Sequence, residues 1–175
     1  GGMGPSISAD GRYVAFISEA TNLVPDDTND EFDVFAHHIL TGQTFRVSVR
    51  SDGGQGNGAS ASPSISPTGR YVAFESLAGN LVPGDTDNEA DVFVHDRVTG
   101  QTRLFSMALG ASMAIGPSSR PSISVDPSYL SFESEATNLV HGDSNRWLDV
   151  FVRDRDAVVF EMYLQPLFRH YSGQQ

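Results

Sequence analysis

A repeat of 58 residues limits what this chain can fold into more than any other feature. PSIS begins at Pro5, Pro63 and Pro121, and DVF begins at Asp33, Asp91 and Asp149; both series advance by 58. RYVAF stands at 12–16 and 70–74, NLVP at 22–25 and 80–83, and TGQT at 41–44 and 99–102. Independent anchors that keep one spacing mean three copies of one structural unit, each burying its apolar faces against its neighbours.

Each copy reads as four short strands. PSIS, then Asp10-Gly11 or Thr68-Gly69, then RYVAF, predicts a hairpin, because glycine accepts the positive φ of a tight turn. Along RYVAFIS, Tyr13, Ala15 and Ile17 fall on one face and Val14 and Phe16 on the other. Both faces are apolar, so both should be covered. DVFVHDR, a turn at Thr99-Gly100 and QTRLFSM predict a second hairpin. No stretch carries a helical period. The predicted fold is all-β, with three four-stranded antiparallel units at 1–60, 61–118 and 119–160 and a tail at 161–175. GGQGNGASAS, residues 53–62, links the first two units.

Four antiparallel strands with two apolar faces, recurring at this period, describe the blades of a β-propeller. The motifs S-A-D-G-R-Y-V-A-F from Ser8, S-P-T-G-R-Y-V-A-F from Ser66 and D-V-F-V-H-D-R-V-T-G from Asp91 resemble the WD40-like PD40 repeats of TolB-type β-propellers. The resemblance covers about residues 4–155 and is specific for fold, not for function. It implies a protein-interaction module in the bacterial periplasm or outside the cell. It also leaves open a fragment of a propeller-containing enzyme, such as a serine peptidase, lyase or glycosidase.

Closed propellers have four to eight blades, so three leave apolar faces and strand edges uncovered. Either the chain is part of a longer propeller, or two chains close a six-bladed ring under two-fold symmetry; self-association is the favoured expectation. The third copy departs from the pattern. Asp126-Pro127-Ser128 replaces the Asp-Gly turn, and Ala157-Val158 replaces Thr99-Gly100. The apolar tail after it reads either as a final strand with a frayed end, as a clasp on a partner chain, or as a terminus foreign to the repeat.

The repeat also aligns three acidic loops: Asp27, Asn29, Asp33; Asp85, Asp87, Asp91; and Asp143, Asn145, Asp149. Oxygen ligands at positions one, three and seven of a turn suit a hard cation such as Ca²⁺. These are not EF-hands, because Phe32, Ala90 and Leu148 stand where that loop needs Gly, and His38, Asp96 and Asp154 where it needs Glu. The competing reading is structural: Asp and Asn side chains accept backbone N–H groups two residues on, and Asp33, Asp91 and Asp149 suit such Asx-turns.

Eleven basic residues, all Arg, face 22 acidic ones, a net charge of -11 that disfavours nucleic-acid and anionic-membrane partners. No apolar run approaches the roughly 20 residues of a bilayer-spanning helix, so membrane insertion is not expected. Without Cys, thiolate chemistry is excluded. G-x-S-x-G, P-loop and zinc spacings are missing, and a non-catalytic scaffold is the expected role. His37 and His95 share a repeat position with Arg153, which reads as a solvent-facing strand site. Glu19, Glu75, Glu133 and Glu135 could supply paired carboxylates, but no motif brings two together. Trp147, the single Trp, lies in the third acidic loop. It could serve a Ca²⁺-dependent carbohydrate site, or cover the loop against the next blade.

Overall fold

The computed structural model describes residues 1–108, 110, 112–145 and 147–155. The first sheet is β1 (Gly2–Ile7), β2 (Tyr13–Ser18), β3 (Asp33–His38) and β4 (Gln43–Arg46), in that spatial order. The second repeats it with β5 (Ser60–Ile65), β6 (Tyr71–Ser76), β7 (Asp91–Asp96) and β8 (Gln101–Leu104). The third holds β9 (Ser118–Ile123), β10 (Tyr129–Ser134) and β11 (Asp149–Asp154). All pairings are antiparallel, so each blade is a meander, as the two hairpins per copy predict. Ser60 and Ser118 already belong to the first strand of the following blade. The fourth strand expected in the third copy and the tail at 161–175 lie outside the described residues.

Serines fasten the turns. Ser8 Oγ accepts the Tyr13 N–H at 3.0 Å and donates to Asp10 at 2.6 Å, and Ser124 repeats both bonds with Tyr129 and Asp126. Ser66 accepts the Tyr71 N–H at 2.9 Å. The last serine of each PSIS thus has structural work that exploits a short side chain competing for backbone groups.

Strand register shows how the sheets stack. In the first blade Ala15 pairs with Ala36 and Ile17 with Val34 on the front face, while Val14 pairs with His37 and Phe16 with Phe35 on the back. Ala15, Val34, Ala36 and Val47 on the front of blade one form a core with Val72, Phe74 and Phe93 on the back of blade two. Ala73, Val92, Val94 and Phe105 on the front of blade two meet Leu130, Phe132 and Phe151 on the back of blade three in the same way. Front-on-back packing is the rule at both joints, and the central blade is covered on both sides. β1 packs on β5 and β5 on β9, so the first strands form the inner edges of the blades.

The joints share hydrogen bonds one repeat apart. The Ile65 N–H donates to Ser6 Oγ at 3.2 Å and the Ile123 N–H to Ser64 Oγ at 3.0 Å. Asn80 accepts the Asn57 N–H at 3.0 Å and donates to the Gln55 carbonyl at 3.0 Å; Asn138 does the same for Ile115 and Met113 at 2.8 and 2.9 Å. Asn80 and Asn138, which open the second and third NLV, therefore clamp the linker arriving from the preceding blade.

Candidate functional site

The three acidic loops lie before the third strands and differ in what surrounds their carboxylates. In blade one, Asp33 is fully buried and its Oδ1 accepts from Ser48 Oγ at 2.5 Å. Its Oδ2 accepts from Asn29 Nδ2 and Gln55 Nε2, both at 3.3 Å. Gln55 Nε2 also donates to Asp27 Oδ1 at 2.9 Å. Arg46 Nη1 forms ion pairs with Asp27 Oδ1 at 3.1 Å and Asp33 Oδ2 at 3.5 Å, without hydrogen-bonding geometry. Burial raises the Asp33 pKa, and the Ser48 bond, then the Arg46 charge, oppose the rise.

In blade two, Ser106 Oγ donates to Asp91 Oδ1 as Ser48 does to Asp33. The resemblance ends there. Asp91 Oδ2 is buried and has no hydrogen-bond partner. Carboxylate oxygens of Asp85, Asp87 and Asp91 lie within 4.8 Å of one another, the first and last buried and Asp87 exposed. Burial pushes the Asp91 carboxyl up to about 7; the Ser106 bond opposes this, and Asp85, Asp87 and Glu89 add repulsion. Burial, then the Asp87 charge, raises Asp85.

In blade three, Asp143 accepts the Asn145 N–H at 3.3 Å and Asn145 accepts the Trp147 N–H at 2.7 Å. Trp147 is exposed, as is Leu148 beside it. The Asx-turns predicted for Asp33 and Asp91 belong instead to the middle position of the loop. Asn29 accepts the Glu31 N–H at 3.2 Å and Asp87 the Glu89 N–H at 3.1 Å. Asp33 and Asp91 bind the serine that follows the fourth strand of their own blade, a partner 15 residues away that a local turn argument misses.

At the position shared by His37, His95 and Arg153, the solvent-facing expectation fails for the last two; His37, on the uncovered back of blade one, is half-buried. His95 is 7% exposed and Arg153 4%, because the back face of each later blade is covered by the blade before it. Thr102 Oγ1 gives its proton to the Val49 carbonyl at 2.5 Å, so His95 Nδ1, 2.9 Å from that hydroxyl, carries the hydrogen they share. Burial pushes the His95 pKa down to about 4. Arg153 donates to the Phe105 carbonyl, and burial lowers its pKa to about 10. Among the glutamates, Glu75 accepts the Arg120 N–H at 2.8 Å and Glu133 the Arg120 Nη1 at 3.2 Å. Arg120 sits at a bulge in β9 with φ of 51°; the Glu75 bond joins blades two and three, whereas the Glu133 pair lies within blade three.

The two end faces are the other unsatisfied feature. Ile7, on the back of blade one, is 62% exposed, whereas Ile65 at the same repeat position is 8% exposed. Val150, on the front of blade three, is 45% exposed, whereas Val34 and Val92 are fully buried. Tyr129 and Ile39 are exposed at the same two ends, while Tyr71 lies under the Arg155 guanidinium, 3.9 Å from the ring centroid. Among the described residues no helix is long and apolar enough to cross a membrane.

No family model matches the chain, and no curated protein matches it in sequence. Its fold is similar to that of solved propellers. A putative TolB from Agrobacterium tumefaciens aligns with a TM-score of 0.60 and 15% identity, over 96% of this chain and 49% of that one. TolB from Acinetobacter baumannii aligns with a TM-score of 0.54 and 16% identity, over 93% of this chain and 31% of that one. The β-propeller domain of the Trilobed protease from Pyrococcus furiosus, described as having an open velcro topology, gives 0.51 and 15%, over 95% and 43%. The chain therefore spans less than half the length of each. With all-strand sheets, front-on-back stacking and these neighbours together, the fold is that of a TolB-type β-propeller, of which this chain supplies three successive blades.

Proposed function

We propose that the protein is a non-catalytic propeller scaffold whose two end faces are covered by a second copy of the chain, front of blade three on back of blade one, in a six-bladed ring. One observation carries this reading. Ile7 and Val150 are exposed at repeat positions that are covered wherever a neighbouring blade exists, at Ile65 and Val92. Covering a Val or Ile side chain fully is worth about 1.5–3 kcal/mol, so several such positions per joint favour association.

The surfaces left over are complementary by the repeat itself. Ser64 accepts the N–H of Ile123 in the next blade, which leaves the Ser122 hydroxyl and the Ile7 N–H as the corresponding acceptor and donor of one more joint. Arg97 and Arg155 cover Tyr13 and Tyr71 at the internal joints. Ile39 stands at that position in blade one, so an apolar side chain meets the exposed Tyr129 of the other copy. Two identical joints related by a two-fold along the ring axis satisfy both ends at once. The family resemblance supports a bacterial periplasmic or extracellular setting and a protein ligand on the completed ring.

Light scattering on the full chain tests the closure. The native chain should have twice the monomer mass, and Ile7→Arg and Val150→Arg should each be monomeric yet folded, since both side chains are exposed in the single chain. A one-to-one mixture of the two variants should recover part of the dimer, because one of its two joints is intact. A native monomer at micromolar concentration would reject the second copy and point to further blades encoded in a longer chain.

A further inference from the structure

We infer that Asp85, Asp87 and Asp91 of the second blade hold one hard divalent cation of the Ca²⁺ class. Oxygens bound to one Ca²⁺ at 2.3–2.6 Å lie at most about 5 Å apart, and the three carboxylates converge within 4.8 Å. The set is all oxygen, with no His or Cys, which suits Ca²⁺ and not a soft or borderline metal.

Two further observations point to a cation. Asp91 is 2% exposed, its Oδ1 is engaged by Ser106, and its Oδ2 has no partner. A buried carboxylate oxygen in that condition is costly unless a charge stands against it. The first blade shows what that charge does. There, Arg46 Nη1 lies 3.1 Å from Asp27 and 3.5 Å from Asp33, and Gln55 Nε2 reaches both. The residues 58 positions on are Leu104 and Met113, while both outer acids are kept and Asn29 becomes Asp87. From blade one to blade two the loop loses its built-in cation and its amide donor and gains a negative charge. An external cation restores the balance that Arg46 supplies in its twin. Asp87 is exposed and Asp85 lines a cleft of about 530 Å³ shared with Arg50, Asn80 and Thr102, which gives an ion a path.

Calorimetric titration of CaCl₂ into the full chain freed of metal by chelator, with MgCl₂ in parallel, tests the site. The expected result is one Ca²⁺ per chain and a melting temperature that rises with Ca²⁺. Asp87→Asn should weaken binding at least tenfold and still fold, because Asn29 and Asn145 make the same turn in the other copies. Leu104→Arg should also lose binding, by supplying the guanidinium of blade one. Asp30→Asn, an exposed acid outside the set, should leave binding unchanged. Absence of binding heat and of any melting shift at millimolar Ca²⁺ would overturn the proposal. So would affinity that is equal in the native and Asp87→Asn chains, or a weak shift produced alike by Mg²⁺.

Discussion

Gly69 lies against the ring of Tyr13, so close that a Cβ on the glycine would sit 2.2 Å from Tyr13 Cδ2. Arg97 completes the joint: its guanidinium stands 4.0 Å from the Tyr13 ring centroid and donates to the Gly69 carbonyl at 2.6 Å. Gly11 occupies the same repeat position with a similar φ, 66° against 72°, but has open space around it. In the monomeric Ile7→Arg chain, where no second copy brings its Tyr129 against the glycine, Gly11→Ala should therefore cost only the left-handed strain, about 1–2 kcal/mol. Gly69→Ala should add roughly 1–3 kcal/mol of overpacking against Tyr13. Denaturant midpoints of the two variants compare them directly, and equal losses would mean that the inter-blade joint yields easily.

His95 should give the protein an acid-side instability. Its folded-state pKa is lowered from 6.5 to about 4 by burial, so between those values the unfolded chain binds a proton that the folded one refuses. Stability from this group is intact above pH 6.5 and falls as pH drops toward 4, by roughly 3 kcal/mol at most. His95→Gln, which keeps a donor for Thr102, should lose less stability than the native chain between pH 7 and 4.5. Parallel losses in denaturation curves would show that His95 is not held neutral.

Ser106 has two duties that no other side chain can take over. It accepts the Val92 N–H at 3.0 Å and donates to Asp91, both in a buried setting. Ser106→Ala leaves that N–H and a carboxylate oxygen without partners, at about 1–3 kcal/mol for each buried group. Thermal unfolding of Ser106→Ala should show a loss of at least 1 kcal/mol. Ser112→Ala, in the linker rather than the core, is the comparison.

The blades were legible because each rests on local chemistry that recurs: PSIS, an apolar strand and DVF in all three copies, with a turn glycine after PSIS and TGQT closing the second hairpin in the first two. The covered faces followed from Val14 and Phe16 being as apolar as Ala15. What escaped was the order of stacking. His95 and Arg153 look like surface residues until the front of one sheet is known to cover the back of the next. The acidic loops differ in a related way. Their spacing is the same in all copies, but their electrostatics are decided by Arg46 and Gln55 against Leu104 and Met113, outside the loops. That signal is present in the repeat alignment, provided it is followed beyond the acids themselves. The Asx-turn reading of Asp33 and Asp91 looks only two residues ahead, whereas their serine partners come from beyond the fourth strand.

Arg46→Leu turns that alignment into an experiment, since it gives blade one the residue of blade two. The Arg46 side chain is 9% exposed, and those of Asp27 and Asp33 are 4% and 0%. Removing one partner of a buried ion pair leaves the other uncompensated and costs about 3–5 kcal/mol. In chelator, the variant should lose stability on that scale, well beyond the ~1 kcal/mol of an exposed pair. Added Ca²⁺ should return part of the loss, because Asp27 and Asp33 then lack a side-chain cation as Asp85 and Asp91 do. Unfolding curves of native and Arg46→Leu chains, with chelator and with Ca²⁺, measure both effects. A loss under 1 kcal/mol would show that solvent screens the pair and that Arg46 does not set the charge balance of its loop.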